Sequence, residues 1–146
     1  MEAAMKLARQ YYQELSPPQL SRYRFIARKG SYHGTTLGAL STSGHVARRA
    51  IYEPMLMTNT SYVSACNSYR GIKDGETTEA YVARLAQELE VEFQTVGPDT
   101  VCAFVAEPVV GAVSMYDVLS ESDLTVLDTW VCSIRTWILQ SHEGSL

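Results

Sequence analysis

The 146-residue sequence contains few of the residues that cross-link small proteins. It has three cysteines, Cys66, Cys102 and Cys132, which lie far apart in the chain. An odd number of scattered cysteines fits neither a disulfide framework nor the paired spacing of a zinc site. We therefore expect reduced cysteines and a cytoplasmic location. Cys102 stands within an apolar run and is predicted to be a small buried residue rather than a nucleophile.

Histidine is also sparse. The sequence has only His33, His45 and His142, and no two of them share a spacing typical of metal ligands. Nor do they combine with a serine and an aspartate in any recognisable triad pattern. We therefore predict no metal site.

Long apolar runs and an excess of positive charge are missing as well. No apolar segment approaches the ~18 residues of a membrane-spanning helix, and the first residues lack the basic-then-apolar order of a signal peptide. Twelve lysines and arginines against sixteen aspartates and glutamates give a net charge of −4. This balance argues against a surface built for nucleic acid or acidic lipid, so we expect neither nucleic acid nor membrane among the partners.

Lysine is limited to Lys6, Lys29 and Lys73. Lys29 follows Arg24 and Arg28, which alternate with apolar residues in the pattern of a strand. Charged side chains are seldom fully buried, so we expect Arg24, Arg28 and Lys29 to form a solvent-exposed strand face.

The patterns that are present indicate a single α/β domain, in which helices alternate with strands. Apolar residues with helical spacing and a period-two alternation carry most of the prediction. We expect a helix over residues 2–15, a strand over 22–28, two short helices within 36–51, a loop over 55–70, a helix that begins after Thr77 or Thr78 and ends at Gly97, and a strand over 101–106 that is buried on both faces.

Three stretches of this sequence, in this order, resemble the class III, fold type I, pyridoxal-phosphate-dependent aminotransferases. They are EAAMKLARQY at residues 2–11, GSYHGTTLGAL at 30–40 and FVAEPVVG at 104–111. The agreement of three separate motifs makes the resemblance specific. It implies that residues 1–112 form part of the large, cofactor-binding domain, a mainly parallel sheet flanked by helices, and that residues 113–146 form a divergent C-terminal tail.

The resemblance also implies which residues hold pyridoxal 5'-phosphate. The aromatic residue of the family's Tyr-His-Gly motif stacks on the cofactor ring, which assigns Tyr32 this role, with His33 beside it. Gly34 would allow close backbone approach. Glu107 matches a carboxylate beside the cofactor at the carboxyl end of a strand.

Two further elements of the family's chemistry are an aspartate at the ring nitrogen and a lysine that forms the Schiff base. Asp128, within Leu127-Asp128, is the candidate for the aspartate, although it follows Glu107 more closely than the family pattern requires. No lysine follows Lys73, so no residue occupies the Schiff-base position, and the phosphate-binding turn of the family has no counterpart before residue 2.

These departures lead us to expect a truncated aminotransferase-like protein that is inactive alone. By resemblance its ancestral reaction transfers an amino group from an amine or amino acid to a keto acid, and we predict no catalytic residue in this chain. Two alternatives are a non-enzymatic binding partner or subunit of a full-length aminotransferase, and an incomplete gene product. The partner that we expect is a second copy of the chain, in a homodimer, or a full-length aminotransferase homologue. The amino donor and acceptor cannot be derived from these residues.

Overall fold

A computed structural model describes residues 1–107 of the chain. The central element is a three-stranded parallel sheet, and helices connect its strands. In chain order the elements are α1 (Glu2–Glu14), β1 (Arg24–Arg28), α2 (Leu37–Thr42), α3 (Val46–Arg49), a 3-10 helix (Ala50–Met55), β2 (Thr60–Val63), α4 (Ser68–Gly71), α5 (Thr78–Val96), a 3-10 helix (Pro98–Thr100) and β3 (Val101–Val105).

The strand order is β2-β1-β3, so β1 is the middle strand of the described sheet. Phe25 pairs with Thr60 of β2 and with Ala103 of β3. Because all three strands are parallel, their carboxyl ends lie at one edge of the sheet. This edge is where ligands usually bind in open α/β sheets.

Among residues 1–107, one helix covers each face of the sheet. On one face α5 contributes Tyr81, Leu85 and Leu89 to a core that includes Ile26 and Val63. On the other face Met5 of α1 packs with Phe25 and Cys102. The predicted α/β class, a parallel sheet flanked by helices, is confirmed.

Helix α5 begins as its sequence predicts. Thr77 is the N-cap, and its hydroxyl accepts a hydrogen bond from the Ala80 N–H at 3.2 Å. The helix ends at Gly97, whose φ of +89° suits a residue without a side chain. The predicted helices over 2–15 and 36–51 are likewise confirmed by α1, α2 and α3.

Two predictions about strands are corrected. Residues 55–70 were expected to form a loop, but they contain β2, whose polar residues pair with β1. In β3 only Val101 and Cys102 are buried, and the rest of the strand is partly exposed. Cys102 is indeed buried, and this burial raises the pKa of its thiol.

Arg28 is also contrary to expectation, since only 3% of it is exposed. Its guanidinium donates to the backbone carbonyl of Glu107, just beyond β3. A buried cation needs such hydrogen bonds, and the neighbouring strand end supplies one. Lys29, by contrast, is exposed as predicted.

A salt bridge fixes the segment before α5. Glu76 accepts two hydrogen bonds of 2.8 Å from Arg84, which also donates to the Gly71 carbonyl at 2.8 Å. The hydrogen bonds from Arg84 lower the pKa of Glu76 from 4.5 to about 2. The ionised carboxylate is therefore favoured in the folded state relative to the unfolded state.

This pair predicts a specific loss of stability in acid. A lowered folded-state pKa stabilises the protein above about pH 4.5, and this stabilisation disappears as the pH falls towards 2. We expect Glu76→Gln to reduce the free energy of unfolding near neutral pH and to flatten its decline in acid. Urea denaturation across this pH range measures both effects. Glu90→Gln, which alters an exposed carboxylate of α5, is the control, and equal pH profiles for the two variants would contradict the prediction.

Within residues 1–107 no helix is long and apolar enough to cross a membrane.

Candidate functional site

The candidate site begins at the carboxyl end of β1. Here the chain leaves the middle strand and turns through Tyr32, His33 and Gly34 before α2. Glu107 lies just after β3, the neighbouring strand. The backbone N–H of Tyr32 donates to Oε1 of Glu107 at 2.7 Å. The sheet thus brings together four of the residues that the sequence motifs single out.

The hydroxyl groups of two buried serines stabilise this turn through hydrogen bonds. Ser43 accepts a hydrogen bond from the His33 N–H at 2.9 Å and donates to the Ala39 carbonyl at 2.8 Å. Ser31 donates to the Arg28 carbonyl at 2.7 Å and accepts from the Gly44 N–H at 3.1 Å. The turn is therefore held at both ends by hydrogen bonds to buried serine side chains.

Gly34 adopts a backbone conformation that other residues rarely reach. Its φ is +130°, and a Cβ at this position would lie 3.1 Å from the Cβ of Ala39. A side chain here would be strained and crowded. The motif's glycine is thus required by the local geometry of the turn.

A carboxylate from α1 reaches the segment after the turn. Glu2 Oε1 accepts hydrogen bonds from the Thr36 hydroxyl at 2.6 Å and from the Ala39 N–H at 3.1 Å. The bond from Thr36 is the main reason why the pKa of Glu2 is lowered. Glu2 therefore caps the start of α2, although it is distant in the sequence.

The ring of Tyr32 is half-buried and contacts a cation. The guanidinium carbon of Arg48, in α3, lies 4.4 Å from the ring centroid. This distance is within the range of a cation–π interaction. Sequence reasoning did not identify Arg48, since nothing in its local pattern distinguishes it from any exposed arginine.

His33 is partly buried beside Tyr32. Burial lowers the pKa of its imidazole, Glu107 opposes this shift, and Arg28 adds to it. Within residues 1–107 no hydrogen-bond partner contacts its buried Nε2 atom. His33 thus carries a polar atom that a ligand could satisfy.

Asp128, the candidate for the ring-nitrogen aspartate, lies outside the described residues, as do the predicted tail at 113–146 and Cys132. Among residues 1–107 no group of three or more histidine, cysteine or acidic side chains is arranged to hold a metal ion.

The buried hydroxyl of Ser43 provides a test of this architecture. Ser43→Ala removes the acceptor for the His33 N–H in a fully buried position. An unsatisfied buried donor costs about 1–3 kcal/mol, so we expect a loss of this size in the free energy of unfolding, measured by chemical denaturation.

Ser21→Ala is the matched control for Ser43→Ala. Ser21 donates to the Asp99 carbonyl at 2.8 Å, but it is exposed, so water can replace the lost bond. If the two variants lost equal stability, the supporting role of Ser43 would be refuted.

The chain is similar to aminotransferases along most of its length. It is 64% identical over 113 residues to an aminotransferase of Gibberella zeae, which covers 77% of this chain and 22% of that protein. It is 52% identical over 112 residues to an uncharacterized aminotransferase of Schizosaccharomyces pombe, covering 77% and 24%. The chain therefore spans less than a quarter of the length of these two relatives.

A solved structure supports the same relationship. The omega transaminase from Pseudomonas jessenii in complex with PMP aligns with a TM-score of 0.69 at 26% identity, covering 88% of this chain and 28% of that one. The family model described as aminotransferase class-III matches residues 1–130. The chain belongs to the class III aminotransferase family, as the three sequence motifs predict.

Proposed function

We propose that residues 1–112 form part of the large, cofactor-binding domain of a pyridoxal-phosphate-dependent class III aminotransferase. The observation that carries this proposal is the contact between the Tyr32 turn and Glu107 at the carboxyl edge of the sheet. The family's reaction moves an amino group from an amine or amino acid to a keto acid. The P. jessenii relative in complex with PMP supports a cofactor of this class.

The residues present fit a flat, polar cofactor. Tyr32 offers a half-buried aromatic ring for stacking, and Gly34 has no side chain to obstruct a close approach. The Nε2 atom of His33 has no hydrogen-bond partner within residues 1–107, so it could bond to a polar group of the ligand. When bound, pyridoxal phosphate would supply an electron sink for carbanion chemistry.

Each residue then has a defined task. Tyr32 orients the ring of the ligand, and Glu107 holds Tyr32 through its backbone N–H. His33 presents a neutral imidazole at physiological pH, because burial lowers its pKa. We assign Asp128 to the ring nitrogen only because Leu127-Asp128 resembles the family's aspartate motif.

We further propose that the 146-residue chain does not catalyse transamination by itself and behaves as a pseudoenzyme. Lys6, Lys29 and Lys73 are all exposed, and the sequence contains no other lysine. In the family the Schiff-base lysine follows the carboxylate that matches Glu107, and none of these three lysines does. Turnover of an amine donor by the purified chain with added pyridoxal phosphate would overturn this proposal.

Cofactor binding can be measured separately from turnover. We expect pyridoxamine 5'-phosphate to bind the chain in equilibrium dialysis, and Tyr32→Ala to weaken binding by about 2- to 10-fold, the value of one aromatic stacking contact. Tyr32→Phe should retain the affinity because it keeps the ring. Tyr11→Ala, at an exposed position in α1, is the control. Equal binding by Tyr32→Ala and the unaltered chain would contradict the proposed site.

A second candidate function is non-enzymatic docking on a longer class III aminotransferase. Exposed apolar side chains on α3 and the following 3-10 helix favour it, namely Val46, Ile51 and Met55, which are 80%, 78% and 63% exposed. Exposed apolar side chains this near one another in the chain suit a protein interface. Co-purification with a tagged longer relative, lost in Ile51→Asp, would support docking, and a monomer indifferent to the relative would exclude it.

We also propose a cytoplasmic location, because three cysteines far apart in the chain do not fit a disulfide framework. Fractionation of cells that express the tagged chain tests this proposal.

A further inference from the structure

Arg48, in α3, contacts the ring of Tyr32 through its guanidinium. Arg48 is exposed, and its guanidinium lies over a ring that belongs to the candidate site rather than to either core cluster. An exposed cation of this kind is usually left in water, where it retains its side-chain entropy. Its position over Tyr32 places a positive charge at the candidate site.

The next residue in the chain explains how Arg48 is brought there. Arg49 donates from Nη1 to the carbonyls of Ser41 and Ser43, at 3.2 and 2.9 Å, and pairs with Glu53 at 3.1 Å. The bonds to the two carbonyls fasten α3 to Ser41 and to Ser43, and Ser43 is the buried serine that also supports the Tyr32 turn. Arg49 thus anchors the helix, and Arg48 projects from the anchored helix onto the ring.

Tyr32 is fixed independently on its backbone side. Its N–H donates to the carboxylate of Glu107. The backbone carbonyl of Glu107 in turn accepts a hydrogen bond from Arg28, at the end of β1. The backbone bond holds the Cα but leaves the side-chain torsions free. The guanidinium of Arg48 contacts the ring itself and thereby restricts its motion.

We propose that Arg48 is a positioning residue for Tyr32. Its guanidinium covers one face of the ring, so that a planar ligand stacks on the opposite face and meets a ring that is already ordered. This inference rests on the proposed function, because it assigns Tyr32 a planar ligand. It adds a residue to the site that the sequence motifs do not include.

The positive charge of Arg48 suits the same ligand. A pyridoxal phosphate carries an anionic phosphate, and a cation beside the stacking ring attracts it. Ordering the ring before the ligand arrives also removes part of the entropy that binding would otherwise lose. Both effects act in the same direction and favour binding.

Two measurements on the full 146-residue chain test the inference. The first is NMR of the ligand-free chain, in which the Nε–Hε signal of Arg48 should be shifted upfield by the Tyr32 ring. This shift should disappear in Tyr32→Ala, and the Tyr32 ring signals should move towards averaged values in Arg48→Ala. The second is equilibrium dialysis with pyridoxamine 5'-phosphate, where Arg48→Ala should weaken binding by about 3- to 10-fold.

The controls separate positioning from charge and from folding. Arg70→Ala removes the same charge from an exposed position in α4 and should leave the affinity unchanged. Arg48→Lys keeps the charge but not the planar group, so it should show an intermediate affinity. Because Arg48 is exposed, its variants should fold, and unchanged signals from the core residues would verify this.

Each outcome decides one of the two proposals. Unchanged or tighter binding by Arg48→Ala would overturn the positioning role, and tighter binding would mean that the guanidinium occupies the ligand's own place on the ring. If the unaltered chain binds no pyridoxamine 5'-phosphate, the proposed cofactor site fails. The NMR shifts then decide by themselves whether Arg48 orders Tyr32.

Discussion

Substituting Gly44 with alanine is expected to destabilise the protein by about 3 kcal/mol, the upper range for overpacking a site that cannot relax. A Cβ at this position would overlap the carbonyl oxygen of Arg28 and would lie 2.8 Å from the nitrogen of Gly30. Both are backbone atoms of the segment that leads from β1 into the site. No side chain can move aside, so the backbone itself would have to shift.

The close approach at Gly44 also explains why the effect should reach the site. Gly44 forms an isolated parallel bridge with Lys29, and its carbonyl accepts from the Gly30 N–H at 3.0 Å. Displacing this bridge separates Ser43 from the turn that it supports. We therefore expect Gly44→Ala to weaken the binding of pyridoxamine 5'-phosphate as well as the fold.

Gly75→Ala is the matched control for Gly44→Ala. Gly75 has a φ of +77°, so alanine is strained there, but nothing lies within 4 Å of a Cβ. The left-handed conformation costs roughly 1–2 kcal/mol in a non-glycine residue. Chemical denaturation should give a lower free energy of unfolding for Gly44→Ala than for Gly75→Ala. The reverse order would show that the backbone around Gly44 shifts to accommodate the Cβ.

Leu85→Ala is expected to lower the free energy of unfolding by about 2–5 kcal/mol, the range for a buried leucine that leaves a cavity. Only 2% of Leu85 is exposed, and it belongs to the core between α5 and the sheet, with Ile26 and Val63. A loss of this size is a large fraction of the stability of a small domain. We expect the variant to be partly unfolded at modest denaturant concentrations.

Val91→Ala on the same helix provides the comparison for Leu85→Ala. Val91 is 57% exposed, so its truncation leaves no buried cavity, and the change should stay within about 0.5 kcal/mol. Urea midpoints of the two variants measure the difference directly. A loss below 1 kcal/mol for Leu85→Ala would mean that this face of the sheet is loosely packed.

Periodicity in the sequence predicted the helices better than the strands. The apolar residues of α5 recur with helical spacing over a long segment, and Thr77 marks the start of this helix. Strand β2 was missed because its short polar sequence shows neither alternation nor a continuous apolar run. It becomes a strand through its pairing with β1, which is a long-range contact.

Some residues of the candidate site could be predicted from the sequence, and others could not. The motifs identified Tyr32, Gly34 and Glu107 through resemblance, since their residue types and order are specific. The residues that support them, such as Ser43 and Arg48, act through contacts between distant segments. Such contacts leave no local pattern, and the burial of Arg28 could not be foreseen for the same reason.

The position of β1 in the middle of the sheet has a consequence for the order in which the protein assembles. Phe25 pairs with Thr60 on one side and with Ala103 on the other, so both partners are synthesised well after it. Contacts between residues so far apart in sequence close slowly, because the intervening chain must first lose its freedom. During synthesis at the ribosome, β1 therefore keeps an unpaired edge until β3 has emerged, and an unpaired strand edge favours aggregation.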